Sequence, residues 1–108
     1  MSDTHMTLDN FHKLHTELDP GEVILDVRRP DEYAEAHIKG AINIPVDQVA
    51  EKIEELKKYS KVYIHCKRGG RAQTAFTTLT QMGLKNLVCV HDAGMDKWLE
   101  CGHPVEKA

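Results

Sequence analysis

At 108 residues, with 41% apolar and 29% charged residues, the chain has the length and composition of one globular domain around one core, which excludes a disordered or fibrous architecture. Acidic residues number 17 against 14 basic ones, a formal charge of −3. A general nucleic-acid binder needs a net or clustered positive field, so no nucleic-acid partner is expected and any cationic function must be local.

The chain opens on Met1-Ser2-Asp3-Thr4-His5, which is polar and lacks the apolar core of a signal peptide. No later apolar run is long enough to cross a bilayer, so a cytoplasmic location without a membrane partner is expected. Leu8, Phe11, Leu14, His15 and Leu18 recur at helical spacing, and Asp19-Pro20-Gly21 supplies the turn signal that ends this first helix. Val23-Ile24-Leu25-Asp26-Val27 is a short apolar run that fits a strand buried on both faces. After Pro30, the stretch Asp31 to Ala36 predicts a short helix, and Gly40-Ala41-Ile42-Asn43-Ile44-Pro45 a turn into a brief extended piece. From Val46 to Tyr59, the residues Val46, Val49, Ile53 and Leu56 fall on one face with Lys and Glu elsewhere, which predicts an amphipathic helix.

Lys61-Val62-Tyr63-Ile64-His65-Cys66 predicts the next strand, and the glycines that follow require a loop. Helical character resumes from Arg71 to Met82, with Gly83 where a helix C-terminus favours glycine. Leu87-Val88-Cys89-Val90 predicts a further strand, and Met95 to Glu100 a closing helix before Gly102-His103-Pro104. Strands alternating with helices in one small domain imply an α/β fold, a mostly parallel central sheet with helices on both faces.

In sheets of this kind ligands bind beyond the carboxyl ends of the strands, and Cys66 stands at such an end. The segment Cys66-Lys67-Arg68-Gly69-Gly70-Arg71 can curl so that successive backbone N–H groups converge on one point, because Gly69 and Gly70 permit dihedrals that other residues resist. With a helix N-terminus behind it, such a nest favours an anion, and a sulfur at its centre is stabilised as the thiolate. Lys67, Arg68 and Arg71 add positive charge at the rim, so a small anionic substrate is drawn to an ionised nucleophile.

The other cysteines and the histidines read differently. Cys89, between Val88 and Val90, is expected to be an inert core thiol, and Cys101 a bystander near the C-terminus. The odd count of three cysteines without a Cys-x-x-Cys argues against a disulfide framework. Cys89-x-His91 and Cys101-x-His103 lack the tighter spacings of structural zinc sites, so no metal is expected. His65 should point to the opposite face of the strand from Cys66 and pack there, and His12 and His15 share a helix face as packing or solvated residues. His37 is expected to be a hydrogen-bonded turn residue, not a general base.

Three separated motifs then carry a family resemblance. The loop Cys66-Lys67-Arg68-Gly69-Gly70-Arg71 resembles the active-site loop of rhodanese domains, which begins with the catalytic cysteine. Asp26-Val27-Arg28-Arg29-Pro30-Asp31-Glu32-Tyr33 followed by His37-Ile38-Lys39-Gly40-Ala41-Ile42-Asn43-Ile44-Pro45 is similar to the family's N-terminal signature. Gly94-Met95 with Trp98, then Gly102-His103-Pro104-Val105, resembles its C-terminal signature. Two positions depart from the family pattern: Ala36 replaces the usual glycine before the histidine, and Ala93 replaces one glycine of a pair before Met95. The match covers residues 7–105, leaving 1–6 as an N-terminal segment and 106–108 as a C-terminal tail.

The resemblance implies a single-domain, rhodanese-like fold and a thiosulfate sulfurtransferase. Cys66 would be the nucleophile and carry sulfur as a persulfide from a small anionic donor to cyanide, a thiol or a protein acceptor. Lys67, Arg68, Gly69, Gly70 and Arg71 would bind substrate, and Asp26 and Arg28 would brace the neighbouring loop. No cofactor is implied. Two alternatives stand beside this reading: a phosphatase or arsenate reductase of the related fold, whose loop is one residue longer, and a non-catalytic docking domain of the same fold.

Overall fold

The computed structural model describes residues 4–107. Residues 1–3 of the predicted N-terminal segment and residue 108 of the tail lie outside the described residues. The elements in chain order are β1 (His5–Met6), α1 (Leu8–Leu14), β2 (Glu22–Asp26), α2 (Pro30–Glu35), β3 (Ile42–Asn43), a 3₁₀ segment (Val46–Lys52), α3 (Ile53–Leu56), β4 (Lys61–His65), α4 (Gly70–Gln81), β5 (Leu87–Val90) and α5 (Met95–Glu100). The strands form one sheet in the order β1-β5-β4-β2-β3, and every pairing is parallel.

Burial on both faces explains why the strands read as continuous apolar runs. From β2 and β4, Val23, Leu25, Val62 and Ile64 face one cluster, which Val49, Leu56, Ala72, Ala75 and Leu79 complete from the 3₁₀ segment, α3 and α4. Ile24 and Tyr63 face the other, which is filled by Leu8 and Phe11 of α1 and Met95 and Trp98 of α5. Helices therefore cover both faces.

The predicted helix from Val46 to Tyr59 is a correction. It is a 3₁₀ segment running into a single turn of α-helix. The apolar pairs Val46/Val49 and Ile53/Leu56 are spaced by three, and side chains three apart eclipse on a 3₁₀ helix, so tight winding aims Val46 and Val49 together at the core. The edge strand β1 pairs with β5 through His5↔Cys89 and Met6↔Val90, although its two residues carry no strand signal of their own. At the other end of the chain, His37 and Glu106 form an isolated antiparallel bridge.

The chain leaves β2 toward β3 on one side of the sheet and leaves β4 toward β5 on the other. The gap between β2 and β4 is thus the topological switch point, where the two departing loops separate and open a crevice. The loop after β4 begins with Cys66.

Candidate active site

Cys66 is 1% exposed, yet it lines an open cavity of about 360 Å³ together with Lys67, Arg68, Gly70 and Arg71. Its Sγ accepts the Gly69 N–H at 3.0 Å and the Ala72 N–H at 3.3 Å. The first donor belongs to the loop and the second to the opening turn of α4, whose macrodipole adds partial positive charge at the same point. The loop and helix terminus thus cradle the sulfur as an anion nest does.

Two close backbone approaches hold the loop in this shape. Gly69 has φ of +113°, a left-handed conformation that side chains resist, and a Cβ there would sit 2.5 Å from the His91 carbonyl oxygen. Gly94 presses against the other flank, where a Cβ would lie 2.0 Å from the Cys66 carbonyl oxygen and 2.7 Å from that of Lys67. Those carbonyls are taken by α5: Met95 N–H donates to Cys66 O at 2.8 Å and Asp96 N–H to Lys67 O at 3.1 Å. With its first carbonyls drawn outward to α5, the loop turns later N–H groups inward to the sulfur. The alanine at 93 leaves this contact intact, because the position that must lack a side chain is 94.

The loop cations are arranged unequally. Arg68 reaches out of the loop to Asp96, with Nε 3.0 Å from Oδ2 and its side chain 78% exposed. Arg71 donates from Nη1 and Nη2 to the two carboxylate oxygens of Glu32 at 2.7 and 3.1 Å. This fork, and the N–H of Arg29 at 2.9 Å, hold the Glu32 carboxyl down at about 2 against an ordinary 4.5. Lys67 has no ion-pair partner among the described residues. Three rim cations drawing in an anion was the expectation from sequence; in the fold, two of the three are already paired.

Asp26 and Arg28 form a buried fork. Arg28 Nε lies 2.9 and 3.0 Å from the two Asp26 oxygens, Nη2 lies 2.7 Å from Oδ2, and Nη2 also donates to the Ala36 carbonyl at 2.7 Å. The pair ties the end of β2 to the chain leaving α2. His65 packs on the face opposite Cys66, its ring 6.1 Å from that of Phe11 and its Nε2 4.0 Å from Asp26. Burial pushes its pKa down, against an opposing pull from Asp26, which keeps the imidazole neutral. Nδ1 of His37 lies 2.9 Å from the Tyr33 carbonyl, and its ring stacks on that of Tyr33.

Cys89 is wholly buried on β5, with Sγ 3.6 Å from Gln73 Oε1. Burial first, and the charge of Cys66 second, push its thiol up to about 12, so it stays protonated at neutral pH. Cys101 is exposed. His103 stacks on His12 at 3.6 Å between centroids, and both rings meet Trp98 edge-on. Among the described residues no helix is long and apolar enough to cross a membrane.

Two participants were not singled out in the sequence. Glu32 stands at the third position of α2, where an acidic residue reads as a local cap, and nothing nearby announces a partner 39 residues later. The α5 N–H groups that anchor the loop are likewise invisible until the two segments meet.

Comparison with known proteins bears on the family and the fold. Residues 10–101 match the family model of the rhodanese-like domain. The chain is 39% identical over 75 residues to the candidate sulfur carrier protein YrkF of Bacillus subtilis, covering 69% of this chain but only 40% of that relative's length. Several of the curated relatives it matches are longer, and the chain spans about half their length. It is 35% identical over 78 residues to thiosulfate sulfurtransferase PspE of Escherichia coli, covering 68% of this chain and 75% of that protein. Among solved structures, a rhodanese-related protein of Thermoplasma volcanium superposes with a TM-score of 0.80 at 30% identity, covering 96% of this chain and 98% of its own. By fold, motif and sequence this chain belongs to the rhodanese-like domain family, several of whose members are sulfurtransferases.

Proposed function

We propose that this protein is a sulfurtransferase that moves sulfane sulfur through a persulfide on Cys66. The reading rests on one observation above the others: a cysteine sulfur at a cavity wall, accepting N–H donors from Gly69 and Ala72 at 3.0 and 3.3 Å. In the first step the Cys66 thiolate attacks the outer sulfur of thiosulfate or a similar small donor. The S–S bond of the donor breaks, sulfite leaves with the bonding pair, and the outer sulfur remains on Cys66 as a persulfide anion. In the second step cyanide, a thiol or a protein thiol takes that sulfur and the Cys66 thiolate returns.

The chain's own groups suit both steps. A persulfide anion lies one sulfur further into the cavity, within the field of the α4 N-terminus and of the loop N–H groups, which are preorganised donors for developing negative charge. Lys67, and Arg68 with its exposed pair to Asp96, are placed to guide an anionic donor, and the Asp26–Arg28 pair ties the end of β2 to the chain leaving α2. Three unpaired thiols suit a reducing, cytoplasmic setting.

The test is a comparison of thiosulfate, mercaptopyruvate and a phosphate ester as substrates, joined to mass analysis of the thiosulfate-treated protein. The expected result is turnover of a sulfur donor and one added sulfur on the peptide that contains Cys66, both absent in Cys66→Ala. Turnover of the phosphate ester alone, or full activity in Cys66→Ala, would overturn the reading.

A further inference from the structure

The pairing of the loop cations bears on substrate charge. Arg68 and Asp96 form an exposed pair whose attraction solvent screens. Arg71 and Glu32 are more enclosed, with side chains 33% and 17% exposed. Glu32 accepts three donors, two from the Arg71 fork and one from the Arg29 backbone, and that last bond fixes it to the first turn of α2. A planar fork on both carboxylate oxygens, with one oxygen also tied to the backbone, leaves neither side chain free to turn alone. The contact joins α2 to α4, the helices that follow β2 and β4 on the two sides of the switch point.

Arg71 lines the Cys66 cavity. Glu32 does not itself line the cavity but sits behind Arg71 and offsets that one guanidinium, leaving Lys67 and Arg68 as the other cations of the lining, while the N–H groups of Arg71 that Glu32 does not use remain available as donors. Attraction between a fixed charge and a ligand grows in proportion to the ligand's charge. An unpaired arginine at this wall would therefore favour a dianion over a monoanion, and the carboxylate of Glu32 offsets the share of that preference due to Arg71 while leaving the donors in place.

We propose that Glu32 tunes the charge selectivity of the site: by offsetting Arg71 at the cavity wall, it lowers the advantage that dianionic oxyanions would otherwise have there over singly charged or uncharged sulfane-sulfur donors. The choice of sulfur donors as the substrate class rests on the sulfurtransferase reading, whereas the charge argument concerns any anion beside Cys66. Glu32 acts through Arg71 and is a positioning residue, with no contact to the reacting sulfur required of it.

Methanethiosulfonate provides the matched probe, since a methyl group replaces one charged oxygen of thiosulfate while the S–S bond to be broken is kept. Attack by Cys66 on its outer sulfur expels methanesulfinate in place of sulfite and leaves the same persulfide. Glu32→Gln keeps the size and a capping oxygen but removes the charge, and should raise the ratio of kcat/KM for thiosulfate over methanethiosulfonate about fivefold, the scale of one solvent-screened charge interaction. Glu32→Asp retains the charge and should leave that ratio within about twofold of wild type. An unchanged ratio in the Gln variant, or an equal rise in the Asp variant, would overturn the proposal. A second arm needs no turnover: protection of Cys66 from iodoacetamide by sulfate, compared with methanesulfonate. Glu32→Gln should strengthen protection by sulfate about fivefold relative to methanesulfonate. If neither donor is turned over but this shift in protection appears, the sulfurtransferase reading falls and the role of Glu32 stands; if the shift is absent, the role of Glu32 falls whatever the protein transfers.

Discussion

Replacing Gly94 by alanine tests whether the anchoring of the Cys66 loop by α5 shapes the site. The added Cβ would lie 2.0 Å from the Cys66 carbonyl oxygen and 2.7 Å from the carbonyl carbon and oxygen of Lys67. All three atoms are backbone, so no side chain can swing aside, and ordinary contact requires the segments to part by about 1 Å or more. That displacement breaks or lengthens the Met95 N–H to Cys66 O and Asp96 N–H to Lys67 O bonds, now 2.8 and 3.1 Å. At about 1 kcal/mol for each bond, the variant should lose about 2 kcal/mol of stability. For a domain of this size that lowers Tm by about 10 °C. Catalysis should suffer more, because the displaced carbonyls belong to the residue bearing the nucleophile and to its neighbour. A misplacement of about 1 Å in a reacting group costs about 100-fold in rate. Thermal unfolding by circular dichroism and initial rates of thiosulfate-dependent sulfur transfer measure the two effects. A Gly94→Ala protein with wild-type kcat and a Tm within about 2 °C of wild type would refute the anchoring argument.

Gly70→Ala should behave in the opposite way, since nothing lies within 4 Å of the added Cβ and the residue opens α4 without a positive φ. Its Tm should rise by a few degrees, on the scale of about 0.5 kcal/mol, with sulfur transfer retained; a large loss of activity would show that the cavity needs the space at this position. Neutralising Lys67 and Arg68 together should raise the KM for thiosulfate more than it lowers kcat, and added salt should mimic part of the effect. An unchanged KM in that double variant would mark both as solvated surface residues. Glu32 titrates at about 2 in the fold against 4.5 ordinarily, so the stability it contributes is fully present above 4.5 and is lost as the pH falls toward 2. Urea-unfolding midpoints followed through that window should fall more steeply for wild type than for Glu32→Gln, and parallel acid limbs would contradict the assigned pairing.

The sequence by itself determined the elements whose signal is local. Leu87-Val88-Cys89-Val90 coincides with β5 because a strand covered on both faces must be apolar at every position: Leu87 and Cys89 enter one core cluster, Val88 and Val90 the other. Met95 to Glu100 coincides with α5, where Met95 and Trp98 stand three apart and are buried together. The strand ending at His65, the loop with its two glycines and the cysteine at its head were legible for the same reason, since each leaves its mark within a few residues. Asp26 and Arg28 stood out only through the motif that contains them, and their fork is visible once the chain turns after β2.

What only the tertiary structure decided involves residues far apart in the chain. Whether Val46–Lys52 winds as a 3₁₀ segment or an α-helix depends on where the core lies, and the two-residue strand β1 exists because β5 offers an edge to pair with. Gly94 has to be glycine because the backbone of Cys66 and Lys67 lies against it, a contact with no trace in its neighbours. The largest difference lies in the electrostatics of the site. Lys67, Arg68 and Arg71 read as three positive charges along six residues of sequence, but charge acts through distance in space and not along the chain. Folding sets Asp96 beside Arg68 and Glu32 beside Arg71, and the field at Cys66 follows from those pairings.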